Sequence, residues 1–176
     1  MLEDHWVIIV NPVAGRGRAV DMARDLMVNL KTRSNSVEMM LTEGHGHAEE
    51  IACHAVRAGA TKIVACGGDG TVHEVVNGLM RDANDHHETH LGVLPAGRCN
   101  DLNYALGFPE KAAAIEYIPQ SIVKRIDLGQ IGSRYFTTIA TLGFDSAVSQ
   151  YVDEGRPPSF LRGTTAYLYG ALVQLF

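Results

Sequence analysis

The stretch Lys62-Ile63-Val64-Ala65-Cys66, followed at once by Gly67-Gly68-Asp69-Gly70-Thr71, decides the fold. Its first half is a short apolar run of the kind buried in a parallel sheet. Its second half places three glycines around one acid. Val72, Val75, Val76 and Leu79 then recur at i, i+3, i+4 and i+7, which is one face of a helix. Strand, glycine loop and helix therefore follow without a spacer. The same order recurs on either side. Trp6–Val10 reads as a strand, residues 11–18 as a glycine-containing loop, and Val20, Ala23, Met27 and Leu30 as a helix face. Val37–Leu41 leads to Ile51, Ala52, Ala55 and Val56, a helix ended by Gly59, and Leu91–Leu94 is a fourth strand closed by Pro95. Alternating strands and helices predict an α/β domain, a three-layer parallel sheet covered on both faces.

The pattern changes after residue 124. Arg125–Ile131 and Arg134–Ala140 both read as strands, and Gly132-Ser133 between them suits a two-residue hairpin turn. Residues 1–124 are thus expected to form one domain and 125–176 the incomplete start of another. A Gly- and Pro-containing loop (153–159) precedes an expected helix from Thr164 onward.

Composition narrows the function classes. The chain has 176 residues, 46% hydrophobic and 20% charged, so it is neither disordered nor fibrous. Its net charge of −5 argues against nucleic acid as a partner, because that role needs a basic surface. Three scattered cysteines without a C-x-x-C pair, and acids rather than Lys or Arg near the N-terminus, point to a reducing, cytoplasmic setting. The longest uncharged run, residues 163–176, is too short for a transmembrane segment.

Three loops follow strand ends, where open α/β sheets bind ligands. The first, Asn11-Pro12-Val13-Ala14-Gly15-Arg16-Gly17-Arg18, lacks the third glycine of a dinucleotide fingerprint but leads into a helix N-terminus, which favours an anion. The second is Gly67–Thr71. An acid beside phosphates needs a mediator, either Mg²⁺ or a proton taken from a nucleophile, so Asp69 points to phosphoryl transfer. Thr71-x-x-Glu74 is equally the pattern of a helix capping box. The third is Pro95-Ala96-Gly97-Arg98-Cys99-Asn100-Asp101, in which Asn100 or Asp101 can cap a short helix ended by Gly107 and Pro109, and Arg98 is a natural phosphate contact.

Asn11-Pro12-x-Ala14-Gly15, Thr42, Gly67-Gly68-Asp69-Gly70-Thr71-x-x-Glu74-x-x-Asn77-Gly78 and Leu91-Gly92-x-x-Pro95-x-Gly97-x-x-Asn100-Asp101 together resemble the catalytic domain of soluble diacylglycerol and sphingoid lipid kinases. The resemblance implies an NAD-kinase-like α/β domain followed by a β-sandwich domain, entered through the hairpin and Gly143-Phe144-Asp145. It implies that ATP and Mg²⁺ are cofactors, with γ-phosphoryl transfer to a lipid hydroxyl of phospholipid metabolism. ATP would be held by Asn11, Pro12, Ala14, Gly15, Thr42, the segment from Gly67 through Gly68, Asp69, Gly70 and Thr71 to His73, and by Gly97, Arg98 and Asn100. Asp69 would sit at the catalytic metal–phosphate centre, with Asp101 and Asp127 in a water-mediated magnesium network. The lipid would be met at a membrane surface by peripheral association, and a homodimer is compatible with the resemblance.

Two departures accompany it. Arg98 stands where the family commonly has Thr. The family's remaining magnesium ligands and its catalytic base lie later than residue 176. This chain alone is therefore expected to bind nucleotide weakly at best and not to be a competent enzyme. An NAD-kinase-like phosphotransferase shares the Gly-Gly-Asp-Gly-Thr loop, and a noncatalytic nucleotide-binding module is the reading of another class.

Other side chains have plainer readings. His86, His87 and His90 with Glu88 fall in a polar loop and lack a zincin order. His45 and His47 flank Gly46 at a helix start. Cys66 is a buried strand residue and Cys99 a small passive side chain near a helix start. Tyr167-Leu168-Tyr169 packs within the second domain or touches lipid.

Overall fold

The computed structural model describes residues 4–81, 88–109, 112–141, 143–158, 160–161 and 164–175. The histidines at 86 and 87 lie outside these residues. The described chain divides into two compact units between Thr138 and Ile139.

The first unit is built on four parallel strands: β1 (His5–Val10), β2 (Ser36–Leu41), β3 (Lys62–Gly67) and β4 (His90–Pro95), in the order β2-β1-β3-β4. The register is continuous. Val7 lies opposite Ile63, Ile9 opposite Ala65, Val64 opposite Gly92 and Gly67 opposite Pro95. Side chains alternate across the sheet, so β1 feeds two cores. Val7 and Ile9 face α2 (His47–Arg57) and α3 (Asp69–Met80), meeting Ile51, Ala55, Val72 and Val75. Trp6, Ile8 and Val10 face α1 (Arg18–Lys31), meeting Ala23, Leu26 and Leu30, with Ala114 of α5 (Ala112–Tyr117) completing that layer. The expected helix faces and strands are those observed. Lys62 lies over the Trp6 ring with its ammonium 4.9 Å from the ring centre, and bonds Asp4 at 2.7 Å.

The helix pair α2–α3 crosses at a glycine. A Cβ on Gly78 would strike the Glu49 carbonyl oxygen and lie 2.7 Å from the Ala52 Cβ. Only glycine lets the two backbones come this close. After β4 the chain forms α4 (Asp101–Leu106), ended by Gly107 at φ 66°. An apolar cavity of about 370 Å³ runs along the outer edge of β4, lined among others by Val76, Leu91, Leu106, Ile118 and Ile126.

The hairpin is shorter than the sequence predicts. Its strands are β5 (Gly129–Ile131) and β6 (Arg134–Phe136), turning at Gly132 with φ 58°. Residues 125–128, expected as strand, have no ladder partner among the described residues. The hairpin belongs to the first compact unit, although the expected domain boundary lay at residue 124. The second unit holds α6 (Phe144–Asp153) and α7 (Thr164–Gln174), with Gly170 of α7 facing Val148, Tyr151 and Val152 of α6. The helix from Thr164 is as expected. α6 is additional.

Two substitutions test this packing. Gly78→Ala should destabilise the protein by about 1–3 kcal/mol through overpacking against α2, read as a lower midpoint of thermal unfolding. Asn103, 2% exposed in α4, bonds no described residue through its carboxamide. Asn103→Leu, similar in volume, should raise the midpoint by a few degrees, on the order of 1 kcal/mol, because it removes a desolvated polar group.

Candidate functional site

The three loops meet at the C-terminal ends of β1, β3 and β4. Their contact is made by backbone, and glycine makes it available. The Gly67 carbonyl accepts the N–H groups of Ala96 (2.8 Å) and Gly97 (3.1 Å), extending the β3–β4 ladder into the loops. A Cβ on Gly97 would overlap the Gly68 Cα, and one on Gly68 would stand 3.2 Å from the Gly97 Cα. A Cβ on Gly67 would overlap the Thr71 side chain. In the first loop Gly15 has φ 60°, and a Cβ there would lie 3.0 Å from the Ala96 carbonyl oxygen.

Polar side chains finish the assembly. Asn11 accepts the Val13 N–H through Oδ1 at 3.2 Å and donates from Nδ2 to the Thr71 hydroxyl at 3.4 Å, joining the first loop to the second. Its own N–H donates to the Cys66 carbonyl at 3.0 Å. Thr42, buried at the end of β2, donates its N–H to the Val10 carbonyl at 2.8 Å. Asn100 adopts the left-handed conformation, φ 55°. Its carboxamide folds back on Gly97, accepting the Gly97 N–H at 2.9 Å and donating to the Gly97 carbonyl at 3.3 Å. Pro12, Ala14, Gly70 and Arg98 complete the rim. Arg98 is exposed and pairs with no described residue, as does Arg16 at φ 61° in the first loop.

Asp69 is the first residue of α3, and both its oxygens are engaged. Oδ2 accepts the Asn100 N–H at 3.0 Å and Oδ1 accepts the Asp101 N–H at 2.7 Å. The carboxylate of the second loop thus caps the helix that follows the third. The α3 N-terminus itself has Gly68 as N-cap and no side-chain cap. Its first N–H groups therefore face the loop cluster without a protein side chain on them, which is the setting an anion occupies. The capping-box reading of Thr71 and Glu74 does not hold. The helix starts at Asp69, so both residues lie inside it. Glu74 instead reaches across to cap α2, accepting the Ala48 N–H at 3.1 Å.

The geometry bears first on the phosphates of a nucleotide. A cradle of glycines that a Cβ would fill, plus uncapped N–H groups, fits a polyphosphate. The acids do not make a metal cage. Asp69 is already engaged twice, Asp101 is reached through its backbone N–H, and Asp127 is exposed without a bonded partner among the described residues. No three His, Cys, Asp or Glu side chains converge among the described residues. Mg²⁺, however, is commonly held by one or two carboxylates together with substrate phosphates and water, and Asp69 keeps a free lone pair on each oxygen beyond its two N–H bonds, so Asp69 is the residue that would hold such an ion beside a bound phosphate.

Further polar residues frame α3, among them His73, which the resemblance assigns to ATP. Asn77, 4% exposed, bonds Tyr135 of β6 on both its backbone groups. Glu49 of α2 bonds Arg134 at 2.6 Å and lies 4.0 Å from Arg81. His73 sits beside this group, with Arg134 3.5 Å from its ring. Burial, and then the Arg134 charge, hold its pKa below the usual histidine value, against the weaker pull of Glu49 and Glu74. Asn77 stands in the quoted motif. No sequence signal marks Glu49. His47 and His45 sit at the start of α2; His47 accepts the Glu43 N–H at 3.0 Å. Burial pushes the Cys66 thiol up to about 12, where it stays protonated and donates to the Ala19 carbonyl.

Residues 5–131 match the diacylglycerol kinase catalytic domain. The chain belongs to that family. It is 33% identical over 143 residues to a protein named diacylglycerol kinase from Staphylococcus epidermidis, covering 81% of this chain and 44% of that one. It is 31% identical over 147 residues to "Probable lipid kinase YegS-like" of Chromohalobacter salexigens, covering 83% and 46%. A solved diacylglycerol kinase from Bacillus anthracis superposes with a TM-score of 0.67 at 28% identity, covering 77% of this chain and 46% of that one. The four-stranded parallel sheet flanked by helices is therefore the fold of this family. The chain spans about half the length of the relatives it matches.

Two measurements check the site. Asp69→Ala should lower stability by about 1–3 kcal/mol, since two helix-start N–H groups lose their acceptor, while Asp69→Asn should lose less. The depressed pKa of His73 also has a signed consequence. The unfolded chain takes up a proton near pH 6.5, before the folded chain does, so stability falls as pH drops through that value. His73→Gln should flatten the decline in thermal midpoint between pH 7 and 5.5.

Proposed function

We propose that the full-length protein is an ATP-dependent lipid kinase that transfers the γ-phosphoryl group to a lipid hydroxyl, with diacylglycerol as the first acceptor to test. The observation that carries this reading is the cradle itself. Three glycine loops are stitched backbone to backbone over an uncapped helix N-terminus, in a chain of the diacylglycerol kinase catalytic domain family. Phosphoryl transfer needs little covalent chemistry from the protein. It needs the phosphates positioned and their charge offset.

Each residue then has a task. Backbone N–H groups at the start of α3 and in the first loop hold the phosphates. Asn11 and Thr71 keep the first two loops in register, and Asp69 holds the third loop closed on them. Arg98 supplies positive charge where the family commonly has a hydroxyl, a longer and more mobile contact than Thr offers. The acceptor lipid is met at a membrane surface; no helix among the described residues is long and apolar enough to cross one.

The assay is transfer of labelled γ-phosphate by the full-length protein to diacylglycerol, a sphingoid base or other hydroxylated lipids in mixed micelles. Labelled lipid supports the proposal. ATP binding without transfer to any lipid sinks it, and NAD phosphorylation in the same assay would turn the reading to an NAD-kinase-like enzyme. Arg98→Ala should weaken ATP binding about tenfold, on the order of 1.4 kcal/mol, by calorimetric titration, and Arg98→Thr should recover part of it.

A further inference from the structure

The acid at the start of α3 sets the cradle a problem. Asp69 carries a negative charge beside the uncapped N–H groups that would meet phosphate. Two anions repel unless positive charge stands between them. A divalent cation held on Asp69 is one solution. The loops on either side offer a second.

Those loops meet in one backbone knot around Gly68, the N-cap of α3. The Gly67 carbonyl accepts the N–H groups of Ala96 and Gly97. Gly97 passes Gly68 with no room for a Cβ, and a Cβ on Gly15 would lie 3.0 Å from the Ala96 carbonyl oxygen. Arg16 is the residue after Gly15, and Arg98 is the residue after Gly97. Because β3 lies between β1 and β4, one arginine leaves the knot on each side of the α3 N-terminus.

Nothing in the described chain neutralises this pair. Arg24, Arg125, Arg134 and Arg156 each have a carboxylate within 4.0 Å. Arg18, in the same loop as Arg16, donates its Nε–H to the Gly15 carbonyl at 3.0 Å. The Asp69 carboxylate is bonded by the N–H groups of Asn100 and Asp101 rather than by a guanidinium. Arg16 and Arg98 are exposed and have no such partner among the described residues. In a chain of net charge −5, they make a local positive spot at the rim of a phosphate cradle. A guanidinium presents its N–H donors as a planar fork that matches phosphate oxygens, and its charge is permanent.

We propose that Arg16 and Arg98 form a two-arginine clamp on the polyphosphate of the nucleotide, and that this clamp carries part of the charge neutralisation that a divalent cation otherwise supplies. The inference deepens the kinase reading and rests on it for the identity of the nucleotide. Two sources of positive charge acting on the same phosphates are partly redundant. Their contributions to affinity then fail to add: losing either weakens binding modestly, and losing both weakens it far more than the two single losses combined.

The test is calorimetric titration of the full-length protein with ATP, once in Mg²⁺ and once in EDTA. In wild type, removing Mg²⁺ should weaken binding less than tenfold. In Arg98→Thr and in Arg16→Asn, the same removal should weaken it at least tenfold more than in wild type. Asn is chosen at position 16 because it tolerates the left-handed backbone there, φ 61°. Tripolyphosphate, which has no nucleoside, should reproduce the pattern, while AMP, with one phosphate, should bind all three proteins within threefold. Equal Mg²⁺ dependence in wild type and both variants overturns the proposal. So does a loss of AMP affinity as large as the loss for ATP, which would place the arginines away from the polyphosphate. Should either variant fail to fold, Arg98→Lys takes its place: it keeps the charge and loses the fork, and its Mg²⁺ dependence should exceed that of wild type at least threefold, with no change counting against the clamp. A wild type that binds ATP in this manner but phosphorylates no lipid defeats the lipid-kinase reading and leaves the clamp standing. A wild type that binds neither ATP nor tripolyphosphate defeats the clamp.

Discussion

The Asp69 carboxylate accepts the N–H groups of Asn100 and Asp101, and through them the loop after β4 is held on the loop after β3. The approach it secures is unusually near, because Gly68 and Gly97 pass with no room for a Cβ on the latter. Two backbones at that distance present their N–H groups as one surface. A side chain at either glycine would open the loops, and loss of the carboxylate would leave two helix-start donors unmet. The arrangement of Asn11, Thr71 and Asn100 is secondary to this clasp, since the Asn11–Thr71 bond ties the first loop to one already in place and the Asn100 carboxamide only folds its own loop back on Gly97.

The rest of the α/β layer serves to hold this edge still. Parallel strands end together, so three loops that are distant in sequence emerge side by side. Large side chains fill both faces beneath them, with Ile8, Ile9, Ile63 and Leu94 fully buried. Such a base resists local opening, and mobile chemistry can be placed on a loop only when the ends of that loop are fixed. The sheet is the support; the specificity lies in the glycine positions.

Much of this was legible in the sequence because it depends on local periodicity. Val72, Val75, Val76 and Leu79 mark their helix face without help from any other segment, and Trp6–Val10 marks its strand. The glycine loops were legible for the same reason: strand, loop and helix are contiguous. What could not be read depends on partners far along the chain. Glu74 looked like a cap for its own helix but caps a residue 26 positions earlier, Ala48. Asn77 finds Tyr135 58 positions later. Asp69 finds partners 31 and 32 positions on, in the N–H groups of Asn100 and Asp101. Residues 125–128 have the composition of a strand, but a strand also needs a neighbour to pair with. In each case the partner lies too far along the chain for local periodicity to reveal it.

Trp6 is the single tryptophan of the chain, and it sits in the central region of the sheet, 6% exposed beneath the Lys62 ammonium. The indole is therefore a built-in spectroscopic reporter with a defined field of view. Selective excitation of its fluorescence follows the α/β layer alone, whereas far-ultraviolet circular dichroism also counts α6 and α7. Comparing the two signals along one denaturation curve would show directly whether the two compact units melt as one cooperative body or in sequence.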